Sequence, residues 1–324
     1  MRYECWRVVF LPVTGSAQFS GMIPGGESRR TLGVTAGQAR GRVGKMNRPQ
    51  DTAPHRPQDT AWADPGLVNP IMPNRARMYD YWLGGTRNLV ADREMAERMA
   101  TLDPYIPASC KANRAFLGRA VRFLAAQGIR QFLDIGSGIP TQRNMHEVAR
   151  QAAPGARVVY ADIDPVAVAE SRTILAGDDD TAAIQADLRH PKTILGHPSV
   201  ERVINFTQPA GLILTAVLHF LKDTDDPYAI VTRLRDAMPP GTHIVVSHAT
   251  SEGNPVLAAA AERLYNTHAA DGQARSRAEI ERFFGGWDLA WPGLVYAPLW
   301  RPDPPAGVPA HPERFWLLAG VARK

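Results

Sequence analysis

The chain has 324 residues, 44% of them hydrophobic, with two cysteines and a formal net charge of +5. That is ample material for a large core, no apolar run approaches the roughly 18 residues of a membrane span, and two cysteines are too few for a disulfide framework or zinc cluster. The charge is local: residues 1–45 hold seven basic and two acidic residues, so the remainder is neutral and lacks the bulk basic footprint of a nucleic-acid binder.

Residues 1–66 are rich in Gly, Pro, Arg and Thr, and Arg-Pro-Gln-Asp-Thr-Ala occurs twice, at 48–53 and 56–61. Such a segment buries too little apolar surface to offset its ordering entropy, which predicts a disordered extension. Met46 is a second candidate start, which would make 1–45 an over-extended reading frame. Residues 8–13 are too short and proline-broken for a signal-peptide core, so a reducing cytoplasmic location is expected.

The folded body is expected from about Pro70. Residues 73–100 read as helical segments around the turn Gly84-Gly85, and 111–127 as an amphipathic helix; together 67–128 form a cap ahead of a ligand-binding domain at 129–324. A βα alternation then begins. Strands are predicted at 130–135, 157–162, 182–187, 211–217 and 242–249, with helices at about 143–153, 165–176, 227–238 and 255–268. Ser276-Arg277-Ala278-Glu279 is a capping box opening a further helix. Two β-rich stretches, 288–299 and 313–322, close the chain. The alternation predicts an α/β fold with a mostly parallel sheet and an antiparallel hairpin at one edge.

In such sheets ligands bind beyond the carboxyl ends of the strands. The first strand runs Phe132-Leu133-Asp134-Ile135-Gly136-Ser137-Gly138. Gly136 and Gly138 let the backbone approach a ligand closely. The dinucleotide fingerprint requires a third glycine where Thr141 stands. An acid followed by Gly-x-Gly suits a ligand with an amino group and a nucleoside, such as S-adenosylmethionine; a nicotinamide cofactor remains the alternative. The second strand ends at Asp162, placed to accept from a ribose diol, while Asp164 before Pro165 is a natural helix N-cap. The third delivers Asp187, read first as an acceptor for an adenine amino group, with an Asx turn or a pair with Arg189 as the alternative. His219 falls at the same edge after the fourth strand and is a candidate base, as is Tyr81.

Taken as a set, these stretches resemble class I S-adenosylmethionine-dependent methyltransferases, and more closely a family of them from actinobacteria with no specific function assigned. The likeness rests on Ala76 to Gly85, Asn113 to Leu117, Leu133 to Thr141, Tyr160 to Pro165, Ala186 to Arg189, Ala216 to Phe220, Ser247 to Thr250 and Pro298 to Pro302. The resemblance implies a Rossmann-like sheet of seven strands with an antiparallel terminal hairpin and extra N-terminal helices. It implies that Asp134, Gly136, Ser137 and Gly138 cradle the methionine part, that Asp162 holds the ribose, and that Asp187 and Leu188 contact the adenine, with Ile163 beside it. The chain departs from the family pattern at Asn205, where an acid is usual, and at Ile163, where Asn is usual. Arg77, Tyr81, Asn88 and Arg114 are candidate lid contacts to the methionine carboxylate or the acceptor. No metal is expected. The acceptor is left open, with a small molecule favoured, and a non-catalytic adenosylmethionine-binding regulator or a nicotinamide oxidoreductase stands as the alternative.

Overall fold

The computed structural model describes residues 69–140, 144–268, 271–303 and 308–324, all within one compact unit, His55–Lys324. The expected disordered extension over 1–66 lies outside the described residues.

Strand β1 (Gln131–Ile135) is buried at every position, as a central strand covered on both faces must be. It pairs in parallel with β2 (Arg157–Asp162), which pairs with β3 (Thr181–Gln185). On its other side β1 pairs with β4 (Gly211–Thr215), followed by β5 (His243–Ala249). The last strand, β8 (Leu317–Arg323), runs antiparallel against β5 over seven residue pairs. The strand order β3-β2-β1-β4-β5-β8 reverses between β1 and β4, the crevice where open α/β sheets take ligands. The seventh strand position, read from the sequence as one stretch over 288–299, is divided. Two-residue strands β6 (Asp288–Leu289) and β7 (Val295–Tyr296) both pair with β8, giving eight strands among the described residues. Pro292 and Gly293 between them break the extended run.

Helices cover both faces. Along β1, Leu133 and Ile135 join the core cluster containing Val159, Leu212 and Leu214, while Phe132 packs into the opposite one with Val158 and Ile213. By the period of two, Asp134 shares the face of Phe132. That face is covered by α3 (Tyr105–Ala126), whose Phe116, Val121 and Leu124 are fully buried. Helix α4 (Met145–Ala152) follows β1, and α5 (Pro165–Ile174) follows β2. Two short helices, α6 (Pro191–Leu195) and α7 (Pro198–Val203), each opened by a proline, were not foreseen. Helix α8 (Pro227–Asp236) links β4 to β5; α9 (Pro255–His268) and α10 (Arg277–Glu281) follow β5. Ser276 caps α10 with the expected box.

Ahead of the sheet stand α1 (Arg75–Trp82), α2 (Val90–Leu102) and the start of α3, together called the cap. Asn74 caps α1, accepting from Ala76 N–H at 2.8 Å. Between α1 and α2, Gly85 lies so close to the Asp80 carboxyl that a Cβ would come within 1.9 Å of its oxygen. This requires glycine there. Cap and sheet are joined by a chain of polar contacts. Tyr79 Oη on α1 donates to Cys110 O at 3.1 Å, Asn113 Nδ2 donates to Tyr79 Oη at 3.0 Å, and Ser247 Oγ on β5 donates to Asn113 Oδ1 at 2.6 Å.

Candidate functional site

Where β1 ends, the chain turns sharply. Gly136 has φ 76° and donates to Ala161 O at 2.8 Å. A Cβ there would lie 2.3 Å from Val217 Cγ2, so only glycine allows the turn to press against the loop after β4. Gly138 N–H donates to Asp162 Oδ2 at 2.7 Å, and Asp164 N–H donates to Asp162 Oδ1 at 2.9 Å. Asp162 thus locks the first turn to the second strand, and each oxygen keeps a further lone pair. Asp164 is the N-cap of α5, with Val166 N–H donating to it at 2.7 Å.

Above this edge, between strand ends and cap, lies a cavity of about 380 Å³. Its inner half is lined by Asp134, Gly136, Ser137 and Gly138 from β1 and its turn, Asp162 and Ile163 from β2, and Asp187 and Leu188 after β3. Arg114 on α3 and His219 after β4 also face it. The strand ends therefore meet as the spacing predicts.

The other lid candidates do not line the cavity, a correction with a helical cause. Arg77 is buried within the cap, its Nε donating to Asp92 Oδ2 at 2.6 Å and its Nη2 to Met72 O at 2.9 Å. Tyr81 Oη donates to Glu97, and Asn88 Nδ2 to Asp80 Oδ2 at 2.9 Å. Arg75 and Tyr79 line the cavity instead. Two residues along a helix rotate a side chain by about 200°, so Arg75 and Tyr79 share the inner face while Arg77 and Tyr81 point away. Tyr81 is thereby removed as a candidate base.

The charges at the edge are unevenly satisfied. Asp134 is buried, and no donor among the described residues reaches its carboxyl; burial, against the nearby Arg114 charge, raises its pKa to about 7. Arg114 Nε is likewise buried without a partner. Burial also raises Asp162, opposed by its two backbone N–H donors. Asp187 is held by Arg189, whose Nη2 and Nε donate at 2.6 and 2.9 Å, and whose N–H completes an Asx turn at 2.9 Å. Against its desolvation, that contact holds the Asp187 carboxyl below the usual range. The pair with Arg189 read as the alternative from sequence is the one formed. His219 is lowered to about 3 by desolvation and then by Arg75 and Arg275. Ala249 N–H donates to its Nδ1 at 3.4 Å, so the neutral ring carries its proton on Nε2 and is a donor there. That geometry disfavours His219 as a base.

The profile of the S-adenosyl methyltransferase family matches residues 65–324. The chain belongs to that family. A candidate methyltransferase from Thermobifida fusca is 42% identical, with TM-score 0.77 over 82% of this chain and 99% of that one. A protein from Streptomyces avermitilis, of a domain family of unknown function, is 38% identical, with TM-score 0.75 over 78% of this chain and 98% of that one. A search of curated proteins finds no match. The fold is the Rossmann-like class I methyltransferase fold, and the family's cofactor is S-adenosylmethionine. Among the described residues, no helix is long and apolar enough to cross a membrane.

The cavity-lining residues that sequence reading missed include Arg75 and Tyr79 on α1, Asn113 on α3, Tyr265 on α9 and Trp316 just before β8. Asn74 as N-cap signals where α1 starts. Nothing local in the sequence tells which face of that helix meets the sheet.

Proposed function

We propose that the chain is an active methyltransferase. It holds S-adenosylmethionine along the inner half of the cavity and presents its methyl group to a small-molecule acceptor in the outer half, in the cytoplasm. One observation carries the reading: the buried carboxyl of Asp134, which receives no donor among the described residues, shares a glycine-floored cavity with Arg114, whose Nε is buried without a partner among them. Leaving either charge buried alone is costly, and an amino-acid zwitterion satisfies both. Asp134 would take the ammonium and Arg114 the carboxylate. The spare lone pairs of Asp162 suit a ribose diol, Ile163 and Leu188 would flank the adenine, and Asp187 would reach its amino group while keeping Arg189.

When bound, the cofactor supplies a methyl group on a sulfonium, whose leaving group is neutral. The chain's part is then chiefly to align acceptor and methyl and to exclude water. Residues 67–128 serve as the cap that does so over the domain at 129–324. Tyr79 Oη, pushed up to about 12 by burial, is a hydrogen-bonding group and not a base.

Calorimetry with S-adenosylmethionine, its demethylated product and NAD tests the cofactor. Binding of both sulfur nucleosides and not NAD is expected; heat with NAD alone would overturn the reading. Transfer of labelled methyl from the cofactor into a cell extract then tests turnover. Tight cofactor binding with no transfer to any extract would make the chain a regulator.

A further inference from the structure

The outer half of the cavity differs in chemistry from the inner half. Its wall is largely apolar and aromatic, with Trp82 from α1, Met99 from α2, Leu117 from α3, Tyr265 from α9 and Trp316 before β8, although Ser109, Glu262 and Gln273 also line the cavity. Phe220 stacks on Tyr265, with ring centroids 5.9 Å apart and planes 25° from parallel. Over the Phe220 ring, 4.7 Å from its centroid, lies the Arg75 guanidinium.

Arg75 makes no salt bridge, and its guanidinium makes no hydrogen bond among the described residues. Three carboxylates of the cavity have other donors, although the Arg75 charge does act on Asp162. Asp162 accepts from Gly138 and Asp164 N–H. Glu262 accepts from Ala274 N–H, and Asp271 pairs with Lys222 at 2.6 Å. The Arg75 charge acts on His219, on Tyr265 and on Asp162, so the guanidinium faces the cavity next to the strand-end acid. A half-buried guanidinium over an aromatic ring, in an apolar chamber, offers a planar fork that matches a carboxylate.

We infer that the methyl acceptor is a planar aromatic monocarboxylate, its carboxylate held by Arg75 and its ring packed against the Phe220–Tyr265 stack. This rests on the methyltransferase reading above. A sugar would set most of its hydroxyls against Trp82, Met99, Leu117 and Trp316, with few polar partners. A phosphate monoester, carrying a charge of about −1.5 to −2, exceeds what one guanidinium balances. An uncharged aromatic would leave Arg75 unpaired.

The test is calorimetric and does not need turnover. The protein is titrated with 2-naphthoate, 2-naphthamide and cyclohexanecarboxylate, each with and without saturating S-adenosylhomocysteine. Naphthoate is expected to bind about tenfold or more tightly than either analogue, the worth of a charge-assisted pair. Arg75→Gln should bring naphthoate down to the level of the amide, and Arg75→Lys should restore part of the difference. S-adenosylhomocysteine binding reports whether each variant is folded. Equal affinity for acid and amide would overturn the charge assignment, and equal affinity for cyclohexanecarboxylate the aromatic one. An Arg75→Gln variant that loses the nucleoside and keeps its preference for naphthoate would assign Arg75 to the cofactor and overturn the proposal. If the parent binds naphthoate selectively but no sulfur nucleoside, the methyltransferase reading fails and the anion site stands.

Discussion

Asp92 in the cap and Asp134 at the sheet edge are both buried carboxyls, and they differ in what surrounds them. Asp92 receives Asn74 N–H at 2.7 Å, Leu89 N–H at 2.7 Å and Arg77 Nε at 2.6 Å. Asp134 receives no donor from the described residues, and burial holds its pKa near 7. A buried charge with all its partners inside the chain builds architecture. One without a donor inside the chain takes its partner, on the proposed reading, from a ligand. The same contrast divides α1, with Arg77 on the satisfied side and Arg75 on the open one.

The largest effect is expected where the satisfied site is broken. Arg77→Ala leaves Asp92 buried without its cation and should cost about 3–5 kcal/mol of stability in chemical denaturation; a loss below about 1 kcal/mol would show that the cap relaxes around it. Asp134→Asn should do the reverse. Ligand-free stability at neutral pH should hold or rise, since a desolvated charge is removed, while cofactor affinity falls by roughly 1.5–3 kcal/mol. A variant that unfolds as Arg77→Ala does would erase the distinction.

pH sharpens the comparison further. The folded-state pKa of Asp134, about 7, exceeds its ordinary 3.8. Its contribution to ligand-free stability is therefore fully present below about pH 4 and is lost as pH rises to about 7. Cofactor affinity should move the opposite way, rising over that window as the carboxylate forms. Both slopes should flatten in Asp134→Asn, measured by denaturation and calorimetry from pH 5 to 8. The smallest effect is at a plain structural cap: Ser276→Ala should cost about 1 kcal/mol and leave cofactor affinity untouched.

The strand edge was legible because each strand is an apolar run that ends in an acid, a pattern that period and turn residues fix locally. Asp134, Asp162 and Asp187 reach one cavity for that reason. The pairing of Asp187 with Arg189 was legible only as an alternative, since two residues of spacing allow both the pair and an open carboxylate. Helices α6 and α7 escaped because five- and six-residue helices carry no measurable period. The divided seventh strand escaped because two-residue strands exist only through their pairing with β8. The cap failed in phase: Arg77 and Tyr81 were as polar and aromatic as Arg75 and Tyr79, and only tertiary packing chooses between faces two residues apart.

Helix α3 has a mechanical consequence. Its Asn113 is tied to Ser247 on β5, its Arg119 donates to Trp300 O and Ala297 O at 2.8 Å each, and Ser109 accepts from Trp316 N–H at 2.9 Å. The helix is thus bolted to the sheet along its length and serves as a door frame. Any swing of α1 about its Gly84-Gly85 turn would have to break the Tyr79 contacts to Cys110 and Asn113 on that frame.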